Sequence, residues 1–413
     1  MKKVLVLGAS ALQTPLVHAA REAGHRVLTA DNVPSNPAHR EADAAYDVST
    51  RDVERIVELA RCEGVEAVVT CCSDVALPAL AATVEALDLP GVRPKTLDLW
   101  HPKSNLRRLQ TDVGLPCPDF VTGEPTASLI ARAQALGGEL VVKPTDRSGS
   151  RGVTRVHAEE TDTLTRAALE AAAIGFSGEV IVERFVDGTE YGGDAWISAG
   201  RVTGLFVTDK YLQGAIVRGH AMPTRLDATR EDELRRLLAR HCRQAGYTDG
   251  PLNFDVRIGA EGPPIVLELA PRLGGNWIPQ LAAWSFGLDL FAATIAAAFG
   301  EDPTLAFGED PTLAPASARP GASFVVAAGR SGTLREDVPV DEVAHLVPGL
   351  ARLELDVGAG DALEALRDSG QQLGRALFDL EATRFEDAAR SLEEALAPWI
   401  VPTGFCGAVE ARR

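Results

Sequence analysis

LNFDVRIGAEGPPIVLELAPRLGGN, residues 252–276, is the stretch on which the fold turns. Two runs of alternating apolar residues flank GAEGPP, a cluster of turn formers, so the segment predicts an antiparallel β-hairpin. With the loop at its centre, Asp255 lies opposite Glu268 and Asn253 opposite Ala270. One face then carries Asn253, Asp255, Arg257, Val266, Glu268 and Ala270. The other carries Leu252, Phe254, Val256, Ile258, Ile265, Leu267 and Leu269 and packs on a core. Two carboxylates facing each other destabilise a sheet unless a cation lies between them. Paired hard oxygen donors suit Mg²⁺ (or Mn²⁺), which takes its other ligands from water and substrate phosphates. The alternative is a solvated face on which Arg257 or a nearby lysine neutralises the pair. The run into APRLGGN favours the metal: Arg272, Gly274 and Gly275 put a guanidinium and bare backbone N–H groups beside it.

A second stretch, VVKPTDRSGSRGV at 141–153, ends an apolar run on Lys143 and continues as a loop with almost no hydrophobic anchor. In a Walker P-loop the lysine follows the glycines and opens a helix; here it precedes them. VTRVH then alternates like a strand, so the loop joins two strands and is free to close over a ligand.

A chain of 413 residues has room for about two to four domains. Its 46% hydrophobic and 24% charged content matches a soluble globular protein. The net charge of −17 argues against nucleic acid or an anionic membrane as partner, since both need clustered lysine and arginine. Six cysteines (62, 71, 72, 117, 242 and 406) form no CxxC pair or zinc spacing and read as reduced, buried thiols, which implies a cytoplasmic setting. LDLFAATIAAAFG at 288–300 is too short to span a bilayer and reads as a buried helix.

The first hundred residues alternate strands (KVLVLG, HRVLTAD, EAVVT) with helical patterns, which predicts a parallel sheet covered on both faces. GASALQ after the first strand has too few glycines for a dinucleotide fingerprint, although Asp31 ends the second strand where a ribose-binding acid would sit. Residues 180–300 carry EVIVERFV, GGDAWISA, RVTGLFVTDKY, LNFDVRI and IVLELA, read as an antiparallel-rich sheet. A Pro-rich linker holding EDPTLA twice, at 301 and 309, precedes SFVVAAG, LARLELDV and a helix over 381–397, a small α+β cap.

In order, a parallel-sheet domain, Lys103 in HPKSNLRRL, Lys143 with Gly149 and Gly152, ERFVDGTEY and the carboxylate hairpin resemble the ATP-grasp superfamily of carboxylate-amine ligases. The resemblance implies an α/β and α+β multidomain chain with the ATP-grasp fold: a Rossmann-like domain at 1–98, an ATP-grasp domain at 99–300 with its lid at about 110–182, a linker at 301–320 and the cap at 321–413. It implies that ATP binds with Lys103 and Lys143 on its phosphates, and that the loop closes through Ser148, Gly149, Ser150 and Gly152. The hinge Glu183, Arg184, Phe185 and Val186 would hold adenine, Glu190 the ribose hydroxyls, and Lys210 a phosphate. Asp255 and Glu268 would hold the metal; where the family pattern has an asparagine this chain has Ala270, and Asn253 is its expected substitute. Arg272, Gly274 and Gly275, with His220 and Trp277 on the pocket wall, would meet the substrate and steady an oxyanion. The implied activity is ADP-forming: a carboxylate, such as that of an amino acid, becomes an acyl phosphate and is joined to an amine. Activation of bicarbonate or formate, as in carboxylases and purine-pathway members, and a nucleotide-binding regulator without turnover are the competing readings. Dimers are common among similar proteins, so a homodimer fits the resemblance.

Overall fold

The computed structural model describes residues 1–303 and 318–402. The second EDPTLA copy, Cys406 and the end of the expected cap lie outside the described residues.

β1 (Lys3–Leu7), β2 (Arg26–Asp31), β3 (Ala44–Asp47) and β4 (Ala67–Val69) form a parallel sheet in the order β3-β2-β1-β4. Successive side chains on a strand point to opposite faces, and here both faces are covered. Leu5, Leu7 and Leu28 pack with the helices Val53–Glu63 and Leu77–Ala86. Val4, Val6 and Val27 pack with the helices Thr14–Glu22 and Leu290–Ala298. The apolar segment near 290 is thus a buried helix, laid against this first sheet. Asp31 accepts hydrogen bonds from the N–H groups of Ala9 and Val33, so it fastens the strand-to-helix loop.

β5 (Phe120–Gly123), β6 (Glu139–Pro144), β7 (Thr154–His157) and β8 (Val180–Arg184) form an antiparallel lid sheet in the order β5-β8-β6-β7. The EVIVERFV strand therefore belongs to the lid and not to the large sheet, because β8 bonds to β5 and β6. Leu140, Val142, Val180 and Val182 turn outward onto two lid helices, while Lys143 and Glu183 turn to the opposite face.

The large sheet is built from β9 (Thr189–Ser198), β10 (Arg201–Gln213), β11 (Ile216–Met222), β12 (Gly250–Ile258), β13 (Ile265–Ala270) and β14 (Gly321–Ala327). The C-terminal part adds β15 (Gly332–Leu334), β16 (Leu350–Leu355), β17 (Ala362–Leu363), β18 (Gln372–Asp379) and β19 (Ile400–Pro402). The eight-stranded order is β13-β12-β9-β10-β11-β14-β18-β16, so the C-terminal α+β segment continues the main sheet across the β11–β14 pairing. Only β17-β15-β19 forms a separate small sheet.

The hairpin keeps the expected facing pairs Asn253–Ala270 and Asp255–Glu268, but the register then shifts so that Val256 faces Val266. This bulge at Leu267 corrects three side assignments: Val266 is buried in the core, Leu267 lines the cleft above the sheet, and Ile265 comes opposite Arg257 on the polar face. β13 is the sheet edge, and the helix Lys103–Asp112 covers it. Arg107 donates to the carbonyls of Val266 and Leu267, and Gln110 donates to that of Val266. Of the described cysteines, Cys71 and Cys242 are buried, Cys72 and Cys117 are half-buried, and Cys62 is exposed, contrary to a uniformly buried set. No single helix among the described residues is long and apolar enough to cross a membrane.

Candidate active site

A cleft of about 940 Å³ separates the lid from the polar face of the large sheet. Its floor is set by strand register: Asn253 faces Asp194, Asp255 faces Gly192 and Arg257 faces Glu190 across β12 and β9. Lys210 faces His220 across β10 and β11.

Each carboxylate of the central pair already carries a lysine. Lys210 Nζ donates to Asp255 Oδ1 at 2.9 Å and to Glu190 Oε1 at 2.7 Å. Lys103 Nζ donates to Glu268 Oε1 at 3.1 Å and to the Arg147 carbonyl at 2.6 Å. Arg257 is committed to Glu190 and to the Val186 carbonyl, so lysines balance the pair and Arg257 does not. Desolvation by the cleft wall pushes the Asp255 carboxyl up; Lys210 pulls it back, while Glu190 and Glu268 push it up again. Asp255 Oδ2 and Glu268 Oε2 have no hydrogen-bond partner among the described residues, and the two side chains are 36% and 32% exposed. Two such oxygens fit a divalent ion that completes its shell from water and a phosphate-bearing ligand. No cluster of three or more His, Cys, Asp or Glu side chains suited to a metal occurs among the described residues.

Asn253 does not fit the role of third metal ligand. Its amide nitrogen donates to the Gly193 carbonyl and to Asp194 Oδ1, and its oxygen accepts from Arg272 Nη1 at 3.0 Å. With both ends of the amide occupied, it acts as a bracket under Arg272. Gly274 likewise departs from expectation, because its N–H donates to Asp194 at 2.8 Å. The N–H of Gly275 has no partner among the described residues, and Gly275 lines the cleft. Trp277 is 4% exposed and packs in the core, so Asn276 takes its expected place on the wall. Gly152 sits off the cleft, against Pro144 and Ile174.

Lys143 Nζ lies 2.8 Å from Glu183 Oε2, and Arg107 Nε donates to Glu183 Oε1 at 2.8 Å. Burial opposes the charge on Glu183, but Arg107 and Lys143 overcome it and hold the carboxyl at about 2. Burial also pushes the Lys143 ammonium down; Glu183 pushes it up, but shares its charge with Arg107, which repels Lys143. The Glu183 carboxylate is thus shared between Lys143 and Arg107 and holds the Lys143 ammonium in place. In the hinge, the N–H groups of Arg184 and Phe185 donate to Asp119 and Glu139 carbonyls, while that of Val186 has no partner among the described residues. Glu190 lies well below the usual carboxylate range: burial raises it, and Lys210 and Arg257 more than reverse that.

The β6–β7 loop is drawn down over this floor. Ser150 Oγ donates to the Ala215 carbonyl at 2.7 Å, and Ser369 N donates to the Gly149 carbonyl at 3.3 Å. Ser148, Gly149 and Ser150 all line the cleft, and so do Ser369 and Gln372 from the C-terminal part. His220 is buried, donates to or accepts from Thr208 through Nδ1 at 2.8 Å, and is held neutral by burial and by Lys210, at about 3.

Residues that sequence reading passed over carry much of this geometry. Arg107 follows Lys103 by one helical turn on the same face, a spacing that could have marked it. Asp74 accepts from Arg272 Nε and Nη2 at 2.8 and 2.5 Å, and Asp194 accepts from Asn253 and Gly274; neither had a local signal. Burial lifts Asp194 to about 7.

The sequence model of the ATP-grasp domain matches residues 137–280, the span from β6 and Lys143 to Gly275 and beyond. That span is an ATP-grasp domain. An uncharacterized protein, y4rH, of Sinorhizobium fredii is 30% identical over 323 residues, 76% of this chain and 64% of that one. The L-arginine-specific L-amino acid ligase of Bacillus subtilis is 26% identical over 281 residues, 65% of this chain and 64% of that enzyme. The chain therefore spans 64% of the length of each of these relatives. The crystal structure of L-amino acid ligase from Bacillus licheniformis aligns with a TM-score of 0.77 at 18% identity, over 97% of this chain and 99% of that one, a likeness of fold. The ATP-grasp domain supplies Lys143, Glu183, Asp255, Glu268 and Arg272, whereas Asp74, Lys103 and Arg107 precede its matched span.

Proposed function

We propose that the protein is an ATP-dependent, ADP-forming ligase that activates a carboxylate, that of an amino acid, as an acyl phosphate and joins it to an amine. The observation that carries this reading is the sharing of one cleft by Lys103, Lys143 and the opposed pair Asp255 and Glu268. Cations there match a polyphosphate, and paired hard oxygens match the ion that travels with it. Similarity to an amino acid ligase supports the choice of substrates.

In this reading the hinge backbone receives adenine through the open Val186 N–H, and Glu190, fixed by Lys210 and Arg257, accepts from the ribose hydroxyls. Lys103, Lys143, Ser148 and Gly149 face the phosphates. A magnesium ion on Asp255 and Glu268 would disperse the charge of the phosphates. The substrate carboxylate attacks the γ-phosphorus in line, the bond to the ADP oxygen breaks, and an acyl phosphate forms. The amine nitrogen then attacks the acyl carbon, phosphate departs with its bonding pair, and the nitrogen loses a proton. Arg272 has four of its N–H groups engaged by Asp74, Asn253 and the Leu273 carbonyl, which leaves one Nη2 hydrogen to join Gly275 N–H at the developing oxyanion. We place the protein in the cytoplasm as a homodimer, which light scattering checks.

The test is ADP release with Mg²⁺ across pooled amino acids, with bicarbonate and formate as separate arms. Release that requires both a carboxylate and an amine is the expected result. Nucleotide binding without release in any pool would support the regulator, and release with bicarbonate or formate alone would support a carboxylase or purine-type enzyme.

A further inference from the structure

Three guanidinium groups, of Arg51, Arg147 and Arg151, converge on a side chamber of about 240 Å³ that shares its Asp74, Arg147 and Arg151 wall with the main cleft. Arg51 comes from the segment after β3, and the other two come from the β6–β7 loop, so the chamber is assembled only with the lid down over the N-terminal sheet. Arg51 and Arg147 both lie over the Phe176 ring, at 4.0 and 4.3 Å from its centroid.

The acids around them are mostly committed elsewhere, although the buried Asp74 Oδ2 has no hydrogen-bond partner among the described residues. Asp146 takes the N–H groups of Phe176 and Ser177, Asp74 is paired with Arg272, and Asp368 stands 3.7 Å from Arg151. His101, on the same wall, is pushed down by burial and by Lys103 and carries no charge to help. The buried Arg147 Nε has no hydrogen-bond partner among the described residues. One cation over Phe176 would suffice to tether the lid. With Arg151 balanced by Asp368, Arg51 and Arg147 still repel each other over one ring unless an anion sits between them.

We propose that this chamber is a specificity subsite for an oxyanionic group, carboxylate or phosphate, that one of the substrates carries away from its reacting atoms. The inference rests on the ligase reading. A guanidinium fork matches either oxyanion in two-point fashion, and the chamber opens from the Asp74 and Arg272 side of the cleft, within reach of a substrate held there.

Two measurements test it. In the first, ADP release is compared for glutamate against glutamine and for phosphoserine against serine, in wild type, Arg51→Met, Arg147→Met and Arg147→Lys. The anionic member is expected to be preferred at least tenfold through KM, in the arm that matches the true group. Either methionine variant should erase most of that preference without changing kcat for the neutral member, and Arg147→Lys should restore part of it. Preference for the neutral members, or a preference untouched by the methionine variants, overturns the proposal. In the second, calorimetry with the nucleotide site filled by a non-hydrolysable ATP analogue and Mg²⁺ measures binding of glutarate and of glycerol phosphate. Wild type should bind one of them, and the Arg51→Met, Arg147→Met double variant should lose that binding at unchanged thermal stability. Absent or equal binding overturns the subsite even if turnover is found; binding by an enzyme that never releases ADP would leave the subsite standing and remove the ligase reading.

Discussion

Lys210 reaches Asp255 across Gly192. Its Nζ lies 2.9 Å from Asp255 Oδ1, and Gly192 is the cross-strand partner of Asp255 on the strand between them. A Cβ at position 192 would stand 2.7 Å from Asp255 Oδ1 and 3.2 Å from Lys210 Cδ. The missing side chain is what lets a cation from β10 reach a carboxylate on β12.

Gly192→Ala should separate Lys210 from Asp255 and raise the already raised Asp255 carboxyl, because Lys210 is the group that lowers it. A carboxylate that must be ionised is lost as pH falls through its pKa, so the acid limb of the kcat/KM profile should move to higher pH. A limb in the same place as in wild type would show that Asp255 does not depend on this lysine.

Glu183→Gln leaves Lys143 and Arg107 buried without their shared counter-charge and should cost about 3–5 kcal/mol in urea unfolding at neutral pH. The carboxyl is depressed from 4.5 to about 2, so the stability it contributes is complete above pH 4.5 and disappears as pH falls toward 2. The difference between wild type and variant should therefore shrink across that window. A constant difference down to pH 2 would mean that Glu183 acts by packing and not by charge.

Asn253→Ala removes the bracket under Arg272 but no metal ligand. The Mg²⁺ concentration for half-maximal ADP release should stay within about twofold of wild type while kcat falls by about 10²-fold, the scale of losing one oxyanion-side group. A Mg²⁺ requirement raised tenfold or more would restore asparagine to the metal.

Gly149 has φ +71, and a Cβ there would fall 1.9 Å from Ser369 Oγ. Gly149→Ala should therefore dislodge the loop and raise KM for ATP about tenfold, since left-handed backbone alone costs a non-glycine residue about 1–2 kcal/mol. Ser369→Gly in the same chain removes the collision but not the backbone strain, so partial recovery is expected. No recovery would mean that the loop is set by its own backbone and not by the C-terminal part.

The facing of Asp255 and Glu268 could be read from the sequence because a short loop between two alternating runs fixes register, and the ordered lysines, glycines and acids then pointed to the fold. The bulge at Leu267 could not, because which residue doubles depends on the Val266 and Leu267 carbonyls, which accept from Arg107 and Gln110 on a helix more than 150 residues earlier. Asp74 and Arg272 are 198 positions apart, and Asp194 and Gly274 are 80 apart. No local pattern encodes such pairings; they exist only once the first sheet and the large sheet have met. The same distance effect made Asn253 look like a ligand and Gly274 like an open donor, since the groups that occupy them are Gly193 and Asp194 on β9 and Arg272, itself held by Asp74.

The pairing of β11 with β14 sets limits on what can be grafted. His220 lies opposite Ser323, and β14 in turn bonds β18 along most of its length. A chain cut before Gly321 would leave β11 with a row of open backbone groups one strand from Lys210, inviting self-association. Chimeras that exchange the C-terminal part would have to match strand for strand at this seam, because this region shares one sheet with the cleft floor and is not a detachable module.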